Sequence, residues 1–166
     1  MAENNIATQQ QVLVKMVLDA WHSKLNHFDN LLSELSDEQL GKEVAPGRNR
    51  GTYLIGHLTA LADSIFPLLG FEKLAPHLWQ PFVHTPDKEN GDVPGLNELR
   101  QEWTKVKTVL AEKMSAIGPD EWFQKHTSIS EEDFAKEPHR NKLNVVLSRV
   151  SHFDYHLGQL QFLKTR

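Results

Sequence analysis

A seven-residue repeat of large apolar side chains runs along the first part of the chain. The repeat has two neighbouring rows, Val14, Trp21, Phe28 and Leu35, and Leu18, Leu25 and Leu32. At about 3.6 residues per helical turn both rows fall on one face, which must be buried against other parts of the protein. The pattern therefore predicts a long amphipathic helix whose two aromatic residues lie in the core rather than in a ligand site.

Three later segments have the same helical periodicity. They cover about residues 50–68, 96–117 and 140–164. Ser36 and Ser130 are each followed by acidic or amide side chains at the spacing that caps the start of a short helix. No segment shows the alternation typical of a strand. We therefore expect an all-α protein, a four-helix bundle formed by a single domain over residues 1–166.

The second and third predicted helices are joined by a long connection, residues 70–95, without any periodicity. Such a connection is either functional or mobile, or it is the crossover between bundle helices that are not antiparallel neighbours. This part of the chain is also rich in apolar side chains, which either cover the end of the bundle or form a homodimer contact. These side chains are Phe66, Leu68, Leu69, Phe71, Leu74, Leu78, Trp79, Phe82 and Val83.

Composition and charge exclude several classes of function. The chain has no cysteine, so any metal must be held by His, Asp or Glu, and the chain supplies no thiol nucleophile. Its net charge of −4 opposes nucleic-acid binding, which requires a basic face. No apolar run approaches the roughly 18 residues that span a bilayer, and Met1–Asn5 leads into no signal-peptide pattern. We expect a cytoplasmic protein that acts on a small molecule, without a nucleic-acid or membrane partner.

His152 and His156 lie four residues apart on the apolar arc of the last predicted helix, with Arg149 beside them. This spacing places both imidazoles on one face about a turn apart, so both can point at one ion. An imidazole in a core must be hydrogen-bonded or coordinated, because an unpaired buried polar group costs about 1–3 kcal/mol. The two histidines are therefore either satisfied by neighbouring groups or ligands of a metal.

A metal site needs a third donor from a different helix. His57 is the one further histidine expected to face inward from the middle of a long helix, where it shares a face with Leu54 and Leu61. Three neutral imidazoles would hold a divalent ion and leave a position open for water or substrate. The other histidines are expected at the surface, in connections or beside the apolar face of the first helix. They are His22, His27, His77, His84, His126 and His139.

Three short motifs resemble one known family. They are Gly56-His57-Leu58 after a Pro-Gly turn, Asp37-Glu38-Gln39-Leu40 after the first helix, and His152-Phe153-Asp154-Tyr155-His156-Leu157-Gly158-Gln159-Leu160 near the C-terminus. In this order, over nearly the whole length, they resemble the DinB-like four-helix-bundle superfamily, and the C-terminal block is the most specific of the three. The resemblance implies a divalent metal, often zinc or nickel, bound by His57, His152 and His156. It also implies thiol-dependent chemistry, since relatives include bacillithiol S-transferases and a mycothiol-dependent isomerase.

The leading hypothesis is a metal-dependent S-transferase that activates a low-molecular-weight thiol cosubstrate. Arg149 is then a candidate for holding an anionic cosubstrate, and Tyr53 and Gln159 are candidates for supporting the ligands. Metal-assisted hydrolysis and a non-catalytic bundle in which the metal joins two helices are the alternatives. We expect residues 70–95 to border the histidines as the mouth or lid of the site.

Overall fold

The computed structural model describes the backbone of residues 2–164 and the side chains of residues 9–164. In that part of the chain there are seven α-helices and no strand, which confirms the all-α prediction. The helices are α1 (Ala2–Glu34), α2 (Asp37–Leu40), α3 (Gly51–Asp63), α4 (Ile65–Leu69), α5 (Leu96–Ser115), α6 (Glu131–Lys136) and α7 (Lys142–Gln161). The predicted limits of the domain at residues 1 and 166 lie outside the described residues.

The second predicted helix is divided in two. Proline at position 67 has no N–H to donate to the carbonyl of Asp63, four residues earlier, so a continuous helix cannot pass this point undisturbed. α3 accordingly ends at Asp63, and Ser64 joins it to α4. Gly70 then ends α4 with φ of 95°, a left-handed conformation that glycine adopts without steric cost.

Aromatic side chains connect the long helices in the core. The rings of Trp21 in α1 and Phe153 in α7 meet edge to face at 4.9 Å between centroids, and those of Phe28 and Trp103 in α5 meet at 4.7 Å. α7 packs against α1 and α3, and α3 packs against α5. Trp21 and Phe28 are fully buried, so the prediction that they belong to the core is confirmed.

Residues 70–95 contain helical turns that the sequence did not indicate. A 3₁₀ turn over Pro76–Leu78 and a single π-helical turn over Gln80–His84 both pack on α3. Asp63 holds the start of this connection, because its buried carboxylate accepts the N–H groups of Leu74 at 2.7 Å and Ala75 at 3.1 Å. The long connection between the second and third predicted helices therefore contains short local turns although its sequence has no periodicity.

The apolar side chains around this connection pack against the protein's own core. Phe66, Leu69, Leu78 and Phe82 are buried, and the remaining apolar residues of the stretch are partly buried against the same cluster. These side chains thus contribute to the protein's own core, and whether they cover the end of the bundle stays a prediction. The homodimer contact stays a prediction.

The segment Gly51–Leu69 is long and apolar enough, by length and composition alone, to cross a membrane. No apolar run of this length was expected from the sequence. Most of the segment is buried inside the protein, and a core helix that is covered on all sides has the same composition.

Candidate metal site

Three histidines from two helices converge at one point. α3 supplies His57, and α7 supplies His152 and His156 on consecutive turns. The Nε2 atom of His152 lies 3.2 Å from that of His57 and 3.0 Å from that of His156. One nitrogen from each ring lies within 4.8 Å of the others. The three side chains that sequence reasoning selected as ligands are thus brought together.

The separations of these nitrogens suit a single ion. Metal–nitrogen bonds of about 2.0–2.1 Å place two ligand atoms about 3.3 Å apart in a tetrahedral arrangement and about 2.9 Å apart in an octahedral one. The observed separations of 3.0 and 3.2 Å lie between these values. The donor set can therefore hold a divalent ion without a large movement of either helix.

Hydrogen bonds on the far side of two rings leave the converging nitrogens free to bind a metal. The Nδ1 atom of His57 lies 2.7 Å from the main-chain oxygen of Phe82, and a carbonyl oxygen can only accept, so the proton is on Nδ1. The Nδ1 atom of His156 likewise donates to Oε1 of Gln159 at 2.7 Å. In neutral imidazole this leaves Nε2 with its lone pair, as metal ligation requires.

Gln159 was predicted to support the ligands, whereas the carbonyl of Phe82 was not, since a main-chain oxygen has no signature in the sequence. Its approach to α3 depends on Gly56. A Cβ atom at this position would lie 2.5 Å from the ring of Phe82, far inside van der Waals contact. A glycine in the middle of a helix was the one available signal, because it often marks a close approach of another segment.

The environment of the histidines favours their neutral form. Burial lowers the pKa of His57, and the positive charge of Arg149 adds to this effect against the opposing hydrogen bond to Phe82. Burial, His57 and Arg149 together lower the pKa of His152. Burial also lowers the pKa of His156, to about 4, against the opposing hydrogen bond that His156 donates to Gln159. All three rings are thus neutral at pH 7, which is the form that binds metals.

Tyr53 lies beside the cluster but its hydroxyl is already engaged. Its ring stacks on that of His57 at 6.2 Å between centroids and 13° between planes. The hydroxyl donates to the main-chain oxygen of Thr85 at 2.8 Å, and burial raises its pKa. Tyr53 therefore positions the ring of His57 and joins α3 to the 70–95 connection.

A second attachment of this connection was missed at the sequence level. The carboxylate of Asp87 accepts the main-chain N–H of Arg50 at 2.7 Å and bonds its guanidinium on two nitrogens. Burial alone would raise the pKa of Asp87, but the hydrogen bonds and charge of Arg50 outweigh it and lower the pKa. Together with the contacts of Phe82 and Thr85, this pair fixes the connection next to the histidines, as predicted. An ion pair between distant parts of a chain has no local sequence signal.

Arg149 lies one turn before His152 on α7. Its guanidinium donates to Oγ of Ser64 at 3.2 Å, and its Nε is buried without any hydrogen-bond partner. Burial lowers the pKa of Arg149. Among the described residues no carboxylate lies within salt-bridge distance of it, and none belongs to the histidine cluster.

The remaining histidines do not form a second site. Within residues 9–164 the triad is the one cluster of three or more side chains able to hold a metal. His22 and His139 are exposed, and His27 is engaged with Gln161 at 2.8 Å. A depression of the surface lined by His77 and Glu102 lies away from the triad.

No family model matches the chain, and no curated protein matches it significantly. The functional assignment therefore depends on the residues of the site itself.

Proposed function

We propose that this protein is a metal-dependent enzyme of the DinB-like four-helix-bundle superfamily, with His57, His152 and His156 as the metal ligands. One observation carries the proposal. Three imidazoles converge, two of them with the ring proton held on Nδ1, and no fourth side-chain donor joins them among the described residues. A three-donor site that keeps one position open is typical of catalytic metals, whereas structural zinc sites are closed by four protein ligands.

The substrate class that we propose is a low-molecular-weight thiol. A bound divalent ion lowers the pKa of a thiol or water at its open position, and the deprotonated group is then a nucleophile near neutral pH. Because the chain has no cysteine, a thiol must come from a low-molecular-weight cosubstrate, as the three motifs shared with the DinB-like superfamily suggest. We propose S-transfer in which a carbon–sulfur bond forms, the leaving group departs with its electron pair, and the thiol proton passes to solvent. The setting we propose is cytoplasmic.

The protein's own residues prepare the site. Phe82 and Gln159 hold the rings of His57 and His156 in position through Nδ1. His57 and His152 are partly exposed, so a small molecule can approach the converging nitrogens from solvent. The 70–95 connection borders this opening, since Tyr53 and His57 both bind its main chain.

Two other functions are distinguishable from this one. Metal-assisted hydrolysis would use the same open position with water as the nucleophile. A metal that only joins α3 to α7 would need a closed coordination sphere, and the lack of a fourth side-chain donor in the described residues counts against it.

The test is thiol transfer to an activated aryl chloride by metal-stripped protein to which zinc, nickel or cobalt is returned. We expect product only with both metal and thiol present, with chloride released in equal amount. His156→Ala should abolish this activity, and His22→Ala, at an exposed position, should leave it unchanged. Full activity in stripped protein or in His156→Ala would contradict the proposal, and ester hydrolysis without thiol would favour the hydrolase.

A further inference from the structure

The charge balance around the triad is incomplete. The three imidazoles are neutral, and Arg149 adds a positive charge on the same face of α7. None of the described residues supplies a carboxylate to the cluster or to Arg149. A divalent ion would add two further positive charges. Because charges that are partly withdrawn from water are best stabilised by a partner of opposite sign, this site favours an anion from outside the chain.

The guanidinium is also short of hydrogen-bond acceptors. Among residues 9–164 its one side-chain partner is the hydroxyl of Ser64, and its buried Nε has none. Arginine has five N–H donors in a planar fork that matches a carboxylate on two nitrogens. The residue as a whole is not fully buried, so an incoming anion can reach it.

The position of Arg149 limits the distance between the thiol and the anionic group of the molecule that binds. Arg149 precedes His152 by three residues, about 4.5 Å along the helix axis, and its guanidinium is close enough for its charge to lower the pKa of both His57 and His152. A molecule whose thiol lies at the histidines and whose carboxylate meets Arg149 therefore needs only a short spacer. We propose that Arg149 selects a thiol cosubstrate that carries a carboxylate a few bonds from its sulfur. This inference rests on the proposed thiol-transfer function.

The experiment measures binding rather than turnover. Cobalt(II)-loaded protein is titrated with 3-mercaptopropionate and, separately, with its uncharged methyl ester, and the thiolate-to-cobalt absorption gives both dissociation constants. We expect the wild-type protein to prefer the acid over the ester by about tenfold, the effect of a hydrogen-bonded charge. Arg149→Met should remove this preference, and Arg149→Lys should retain part of it, because the charge remains without the planar fork.

Arg140→Met is the matched control. It makes the same substitution at an arginine that is bonded to Glu137 before α7 begins, so the preference for the acid should persist. Equal binding of acid and ester by the wild-type protein, or an unchanged preference in Arg149→Met, would overturn the proposed role of Arg149. Neither result would overturn the thiol-transfer function. If neither thiol produces the absorption in wild-type protein, the thiol-transfer function fails together with the role of Arg149. The wild-type comparison decides the matter even if Arg149→Met does not fold.

Discussion

The close approach of Phe82 to Gly56 predicts the sign of the stability change when this glycine is replaced by alanine. Gly158 offers a matched position for comparison. Gly56 and Gly158 both lie inside helices, α3 and α7. A Cβ atom on Gly158 would meet nothing within 4 Å, whereas one on Gly56 would lie 2.5 Å from the Phe82 ring. The same substitution to alanine should therefore have opposite effects at the two sites.

The magnitudes follow from helix propensity and packing. Alanine stabilises a helix interior relative to glycine by about 0.5–1 kcal/mol, and Gly158→Ala should raise the free energy of unfolding by this amount. In Gly56→Ala the ring of Phe82 must move by about 1 Å, and overpacking of this kind costs about 1–3 kcal/mol. The net effect expected for Gly56→Ala is a loss of up to about 2 kcal/mol.

Urea unfolding of both variants and of the wild-type protein, without metal, measures these differences. A cobalt(II) titration then tests the link to the site. Displacement of Phe82 moves the carbonyl that orients His57, so Gly56→Ala should bind the metal more weakly while Gly158→Ala should not. Equal stabilisation of the two variants, with equal metal affinity, would refute this account of the close approach.

Three further predictions concern the site and its supports. Gln159→Leu removes the acceptor of the His156 Nδ1 proton and should weaken metal binding by about tenfold in a cobalt titration, with an unchanged circular dichroism spectrum; unchanged affinity would contradict this role. Without metal, the free energy of unfolding should fall as the pH decreases from 7 towards 4, because the unfolded chain binds protons near pH 6.5 while the folded state holds the pKa of His156 at about 4. The slope approaches about 1.4 kcal/mol per pH unit for each excess proton, and a profile as steep in His156→Ala would show that other groups cause it. Asp63→Ala leaves the N–H groups of the 70–95 connection unpaired and should cost at least about 2 kcal/mol in urea unfolding; a smaller loss would mean that water replaces the carboxylate.

Much of the helical structure was predictable because it depends on local patterns. The seven-residue repeat identified α1, and the serine caps at Ser36 and Ser130 appear as predicted, with each hydroxyl accepting an N–H three residues later. The last helix extends over Lys142–Gln161 against a prediction of about residues 140–164. Helix ends differ by a few residues because periodicity does not define the final turn.

The three clustered histidines were predictable for a similar reason. A histidine on the apolar face of a helix needs a hydrogen-bond or metal partner. The apolar faces of the second and last predicted helices contain His57, His152 and His156, so these three were chosen together. The division at Ser64 was missed although Pro67, its cause, is visible in the sequence.

The surroundings of the site were not predictable, since they depend on contacts between distant residues. The Phe82 carbonyl, the Asp63 carboxylate and the Asp87–Arg50 pair all act through the 70–95 connection, whose turns follow from tertiary packing and not from periodicity. The absence of a carboxylate near Arg149 among the described residues is likewise a property of the folded chain.

The most direct test of the central claim is the metal stoichiometry of purified protein, measured by elemental analysis and by calorimetric titration with zinc and nickel. The account predicts one ion per chain in the wild-type protein. His57→Ala, His152→Ala and His156→Ala should each lose tight binding while staying folded, since the apolar core carries most of the stability. His139→Ala, at an exposed position, should retain the ion with wild-type affinity. Tight binding of one ion by any of the three ligand variants, or no binding by the wild-type protein, would contradict the metal site.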